Sequence, residues 1–169
     1  MNKIILFLFT VILTTGARGE DILSVSASRE TADIGEISSV YLSATLADSV
    51  SNVGMRFSTG LNFADIINSY GETDSYVAWD IAMKFGYFSD LSFYVEGGFD
   101  LGEALVDDSN ENEEYDEGFD NVDYFLGAGT GLTLENLGLN FFGRYRHLNG
   151  LYLEDTSEWF TGMEFSIYF

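Results

Sequence analysis

From Ile22 to Phe169 the chain repeats one pattern: apolar side chains at every second position, with no segment holding a helical period. Alternation of this kind belongs to β-strands with two unlike faces, because successive side chains point to opposite sides of the pleat. The candidate strands are Ile22–Arg29, Ile37–Leu46, Val53–Phe63, Val77–Tyr87, Leu91–Gly102, Val122–Leu134, Leu137–Arg146 and Trp159–Phe169. Several reach the roughly 9–11 residues that a tilted membrane-crossing strand needs. The absence of Pro fits unbroken ladders, since Pro cannot donate to one. Zero Cys removes disulfides and thiolate metal sites.

Alternation alone does not say which face looks outward, and a soluble lipocalin-like carrier would place the apolar set inside. Volume separates the two. The apolar set supplies roughly five sizeable side chains per strand, more than an eight-stranded lumen can hold. The opposite set is rich in Gly, Ala and Ser, with Tyr94, Phe125, Phe142 and Phe160 as fillers. The charges share that second parity: Arg56, Asp80, Lys84, Glu96, Asp100, Asp123, Arg144, Arg146 and Glu164. An Arg or Lys on a lipid face at the midplane costs about 2–4 kcal/mol, whereas opposite charges in a narrow lumen can pair. Arg29 is the exception and is expected to snorkel at its strand's far end. Tyr76, Trp79, Tyr124, Tyr145 and Trp159 are expected to form one aromatic girdle, with Tyr87 and Phe169 at the other. The expected fold is all-β, an eight-stranded antiparallel up-and-down transmembrane barrel.

The ends of the chain agree. Met1–Gly19 has a charged head at Lys3, an apolar run from Ile4 to Leu13 and a small-residue tail. That run is too short to span a membrane as a helix and suits an export signal, cleaved after Ala17 or Gly19. Residues 20–169 then form a single barrel domain. Short turns are expected after strands two, four and six, and longer loops after one, three, five and seven. At the other end, Thr161, Gly162, Phe165, Ile167 and Phe169 fill a pattern of polar residue, Gly, then alternate apolar residues with a terminal Phe. The pattern resembles the C-terminal assembly signal of outer-membrane β-barrel proteins. Taken together the chain resembles the small eight-stranded class typified by the OmpA transmembrane domain and OmpX. The resemblance implies a monomer in the outer membrane of a Gram-negative bacterium, in contact with lipid and lipopolysaccharide. It also implies insertion by the barrel-assembly machinery through the last strand. A chain ending at the barrel carries no separate peptidoglycan-binding domain, so wall tethering is not expected.

No catalytic residues and no cofactor are expected. His147, the only histidine, sits in Arg146-His147-Leu148-Asn149. This is similar to the outer-membrane lipid A deacylases, in which a Ser follows the His by two residues; Asn149 cannot be a nucleophile. An acidic stretch contains Asp107, Asp108, Glu111, Glu113, Glu114, Asp116 and Glu117. Glu113 replaces the Gly of an EF-hand and Phe119 its last ligand, so weak Ca²⁺ or Mg²⁺ collection is the most it offers. A net charge of −21 argues against nucleic acid. Eight strands leave an interior roughly filled by side chains, so a general porin is not expected. The expected role is structural or surface contact through acidic extracellular loops; a narrow channel and a lipid A-modifying enzyme are the alternatives.

Overall fold

The computed structural model describes residues 22–68, 70–106, 122–148 and 156–169. Residues 1–19, read above as an export signal, Asn149 and the acidic candidates Asp107, Asp108, Glu111, Glu113, Glu114, Asp116 and Glu117 lie outside the described residues. Eight strands follow one another around a closed antiparallel barrel: β1 (Ile22–Ala32), β2 (Gly35–Ala47), β3 (Val53–Ile67), β4 (Thr73–Tyr87), β5 (Leu91–Asp100), β6 (Tyr124–Leu134), β7 (Leu137–Leu148) and β8 (Thr156–Tyr168). β8 returns to β1 with Ser24 opposite Tyr168 and Thr31 opposite Thr161, so no strand edge is left open. The end carrying Ile22 and Phe169 is called the near end below, the opposite one the far end.

Among the described residues no helix is long and apolar enough to cross a membrane. Leu23, Leu42, Phe63, Val77, Val95, Leu126, Phe141 and Phe165 point outward and are exposed. Ser24, Tyr41, Asn62, Ala78, Tyr94, Phe125, Phe142 and Ser166 point inward and are buried. A contiguous apolar belt around a polar interior is the reverse of a soluble barrel and suits hydrocarbon. The lipocalin-like alternative, with the apolar set inside, does not describe this molecule. Glycine lets the narrow lumen close: a Cβ on Gly129 would stand 2.4 Å from the Tyr94 hydroxyl.

Four local expectations are corrected. The fifth strand stops at Asp100, and Leu101 and Gly102 open a short helix, α1 (Leu101–Val106). Asp100 caps it, its Oδ1 accepting from the Gly102 amide at 2.6 Å, with Glu103 in the first turn. Val122 precedes β6 and is buried rather than outward. Tyr76 faces inward, its hydroxyl 3.4 Å from Asp123 Oδ2, and is no part of the girdle. The connection after β1 is only Asp33–Ile34, since β1 and β2 both run on past the expected strand ends. Gly35 permits that turn: its φ is +147°, and a Cβ there would lie 2.1 Å from the Asp65 carbonyl oxygen.

Beyond the belt the polarity inverts. At the far end Ile37, Ala64, Ile66, Leu148 and Phe160 pack together inside the barrel, joined by Ala32, Ile34 and Tyr76. Outward positions there include the polar Thr31, Asp65, Ser75 and Ser157, with Ile67 exposed at the tip of β3. The strands therefore project past the apolar belt as a small water-facing barrel with an ordinary apolar core.

Candidate functional site

The lumen holds the chemistry. All nine inward charges read from the sequence are buried on the inner face. A tenth, Glu30, is fully buried and central; a first strand ended at Arg29 misses it, although its parity continues that of Ser24, Ser26 and Ser28. Arg144 on β7 donates from Nε and a terminal nitrogen to both Glu96 oxygens at 2.9 and 3.0 Å, and from its other terminal nitrogen to Glu30 Oε1 at 2.9 Å. Arg146, two residues on and thus on the same face, donates to both Glu30 oxygens at 2.9 and 2.7 Å. It also lies 3.8 Å from Asp80 Oδ2. The Tyr41 hydroxyl is 3.1 Å from that same oxygen and 3.0 Å from Asn62 Oδ1.

Nearer the chain ends, Lys84 donates to Glu164 at 2.9 Å and lies 3.9 Å from Glu96. Asn140 adds a bond to Glu164 at 3.1 Å. Aromatic rings close the remaining space. The Arg144 guanidinium sits between Phe125 and Phe142, 4.6 and 4.1 Å from their centroids, and Lys84 lies over Tyr94. Arg56, last toward the near end, is bonded to Thr45 and Tyr168 and packs on Phe88. Four cations thus stand among Glu30, Asp80, Glu96 and Glu164, all in one filled lumen. A cavity beside Asp80, Asp123, Tyr76 and Arg146 has room for about one water.

The far end is acidic. Asp100 takes backbone amides of Trp79 and Gly102, and Glu103 of α1 accepts from the Asp123 amide at 2.8 Å. Burial, with Asp123, Asp100 and Asp80 nearby, pushes the Glu103 carboxyl up to about 7. The folded state thus binds this proton more tightly than an unfolded chain does. The stability that the protonated carboxyl contributes is full below the ordinary carboxylate value and is lost as pH rises from there through about 7, while the Asp123 amide bond itself favours the ionised form. Urea unfolding of the native chain should therefore show stability falling between about pH 5 and pH 7 and levelling off above it, and E103Q should reduce that slope. Among the described residues no group of carboxylates is arranged to hold a metal ion.

On the outer wall the register sets His147 opposite Ser157, with Nδ1 2.9 Å from Oγ and the ring stacked on Tyr124. Reading along one strand finds only Asn149; the hydroxyl comes from the neighbouring strand. No carboxylate among the described residues is bonded to that ring. The C-terminal signal residues Phe165, Ile167 and Phe169 are exposed on the belt, and the Phe169 amide donates to Leu23. Gly162 lies inside, where a Cβ would meet the Arg29 carbonyl oxygen at 2.6 Å and Phe142 at 2.7 Å.

No protein-family model and no curated protein sequence matches the chain. Solved structures do. The N-terminal β-barrel domain of Pseudomonas aeruginosa OprF aligns with a TM-score of 0.55 at 12% identity, over 90% of this chain and 100% of that one. The outer membrane enzyme PagL aligns at 0.49 and 11% identity, over 86% and 98%. A chain from the de novo design of transmembrane β-barrels aligns at 0.44 and 16% identity, over 89% and 96%. At these identities the likeness is one of fold: a closed eight-stranded antiparallel barrel.

Proposed function

We propose that the chain is exported to the outer membrane of a Gram-negative bacterium and stands there as a monomeric, non-conducting, non-catalytic barrel. Its task is structural or one of surface contact, carried by the far-end loops. The observation that carries this reading is the lumen, where the buried Arg144 and Arg146 each bridge two carboxylates among inward aromatic rings. The apolar belt, the export-signal pattern of residues 1–19 and the terminal aromatic strand support the location. The acidic residues from Asp107 to Glu117 supply the chemistry for loose divalent-cation contact with neighbouring lipopolysaccharide. Reconstitution into planar bilayers tests the closed lumen. The native chain should give no resolved current steps; regular steps altered by R144A would replace this reading with the narrow channel.

A second reading rests on the His147–Ser157 contact. A general base beside a hydroxyl is the minimum for hydrolysis, here with no carboxylate among the described residues bonded to the ring. Lipid A incubated with the folded barrel should keep its acyl chains. Deacylation lost in S157A would establish the enzyme.

A further inference from the structure

Four buried hydroxyls have no hydrogen-bond partner among the described residues, those of Ser26, Ser28, Ser39 and Tyr94. Tyr94 lies against Lys84, but the three serines stand together. Ser26 and Ser28 are successive inward positions of β1, and Ser39 of β2 is opposite Ser28 in register. Each is more than nine-tenths buried. The same row continues from Ser39 to Asn62 on β3 and from Asn62 to Ala78 on β4. The next row toward the near end runs from Ser26 through Tyr41 and Gly60 to Asp80. Asn62, Ala78 and Asp80 line the water-sized cavity described above. The unpartnered serines and that cavity therefore share two rows of the inner wall. Between them the Tyr41 ring is turned toward β3 and β4: a Cβ on Gly60 would meet it at 2.6 Å, and its hydroxyl reaches Asp80.

Donors are also stretched around Asp80. Its carboxylate is buried, and its ion contact with Arg146 Nη1 is 3.8 Å long, beyond hydrogen-bond reach. The Tyr41 hydroxyl has one proton for two acceptors, Asn62 Oδ1 at 3.0 Å and Asp80 Oδ2 at 3.1 Å. A gap of that width between opposite charges, beside a space of water size lined by both, is the geometry of a bridging water. A buried hydroxyl with no partner costs its full desolvation, and a water bonded to it removes that cost. We propose that the β1–β4 wall of the lumen binds a small cluster of water, held by the Ser26, Ser28 and Ser39 hydroxyls and continued to Asp80 and Arg146. The opposite wall, where Arg144 is stacked between Phe125 and Phe142, stays dry. The inference rests on the closed lumen proposed above. Its consequence is a lumen sealed by rings on one side and by water-bridged charge on the other, with Asp80 solvated from within.

Methyl groups report nearby water without exchangeable protons of their own. The Ala78 methyl lies in the cavity wall, and S39A puts a second methyl on the serine seam while keeping the Ser26 and Ser28 hydroxyls. The full chain without its leader is methyl-labelled and folded in detergent micelles. Overhauser transfer from water is then measured in the laboratory and rotating frames, with Ile66 of the apolar far-end core as the dry reference. Both probe methyls should show transfer with the sign of long-lived bound water, and Ile66 should show none. S28A carries the same probe if S39A does not fold. No transfer at either methyl would overturn the cluster and leave the closed lumen standing. Transfer at Ala78 alone would overturn the serine seam and leave a lone cavity water. Transfer with the sign of freely exchanging water at both methyls would overturn bound water together with the closed lumen, in favour of an open aqueous passage.

Discussion

Replacing Arg144 with methionine should lower the stability of the folded barrel by about 3–5 kcal/mol, because the change leaves buried carboxylates without their cation. Glu96 loses both of its short bonds and keeps only Lys84 at 3.9 Å, while Glu30 retains Arg146 alone. The rings of Phe125 and Phe142 lose the plane stacked between them. Urea unfolding of the barrel in vesicles measures the cost. The paired change R144M/E96Q should recover much of it, since removing both charges of a buried pair is often near neutral. A loss below about 1 kcal/mol in R144M would mean that water reaches these groups and that the lumen is open.

Val95→Arg should cost about 2–4 kcal/mol for a reason of the opposite kind. Val95 is the third outward position of β5, exposed between Phe93 and Gly97 and far from either girdle. A charge there meets hydrocarbon, with no carboxylate across the strand: its neighbours in register are Phe85 and Ala128. On a water-soluble barrel the same exposed substitution would fall within about 0.5 kcal/mol of neutral. Vesicle-folding yield and urea midpoint together distinguish these outcomes. The two variants make a matched pair, a cation removed from inside and a cation added outside, each expected to be costly.

Alternation made the barrel legible in the sequence because a two-residue period carries the inside–outside decision along each strand within the belt. The lumenal charges were legible for the same reason, since lipid forbids them on the other parity. What was not legible lies where the belt stops acting. Above it an apolar residue belongs inside, so Ile37, Ile66 and Leu148 obey the rule of a soluble core, and parity counted by hydrophobicity breaks down. Tyr76 was placed in the girdle on type alone, although its step from Ala78 and Asp80 puts it in the lumen. The helix after Asp100 had a readable signal, Asp100 followed three residues later by Glu103, which is a capping arrangement. It was masked by Leu101, which continues the strand's alternation. Glu30 was missed with the end of β1. The His147–Ser157 contact depends on register between strands, which no reading along one strand supplies.

The account stands most directly on whether the folded chain is a closed barrel that needs an apolar surround. The full chain without its leader is folded into detergent and run in SDS before and after boiling, with circular dichroism on the same samples. The unboiled protein should keep its β spectrum in SDS and run at a mobility that shifts on boiling. A β-rich monomer that is soluble in plain buffer without detergent, and whose mobility does not change on boiling, would contradict the outward apolar belt and with it the membrane barrel.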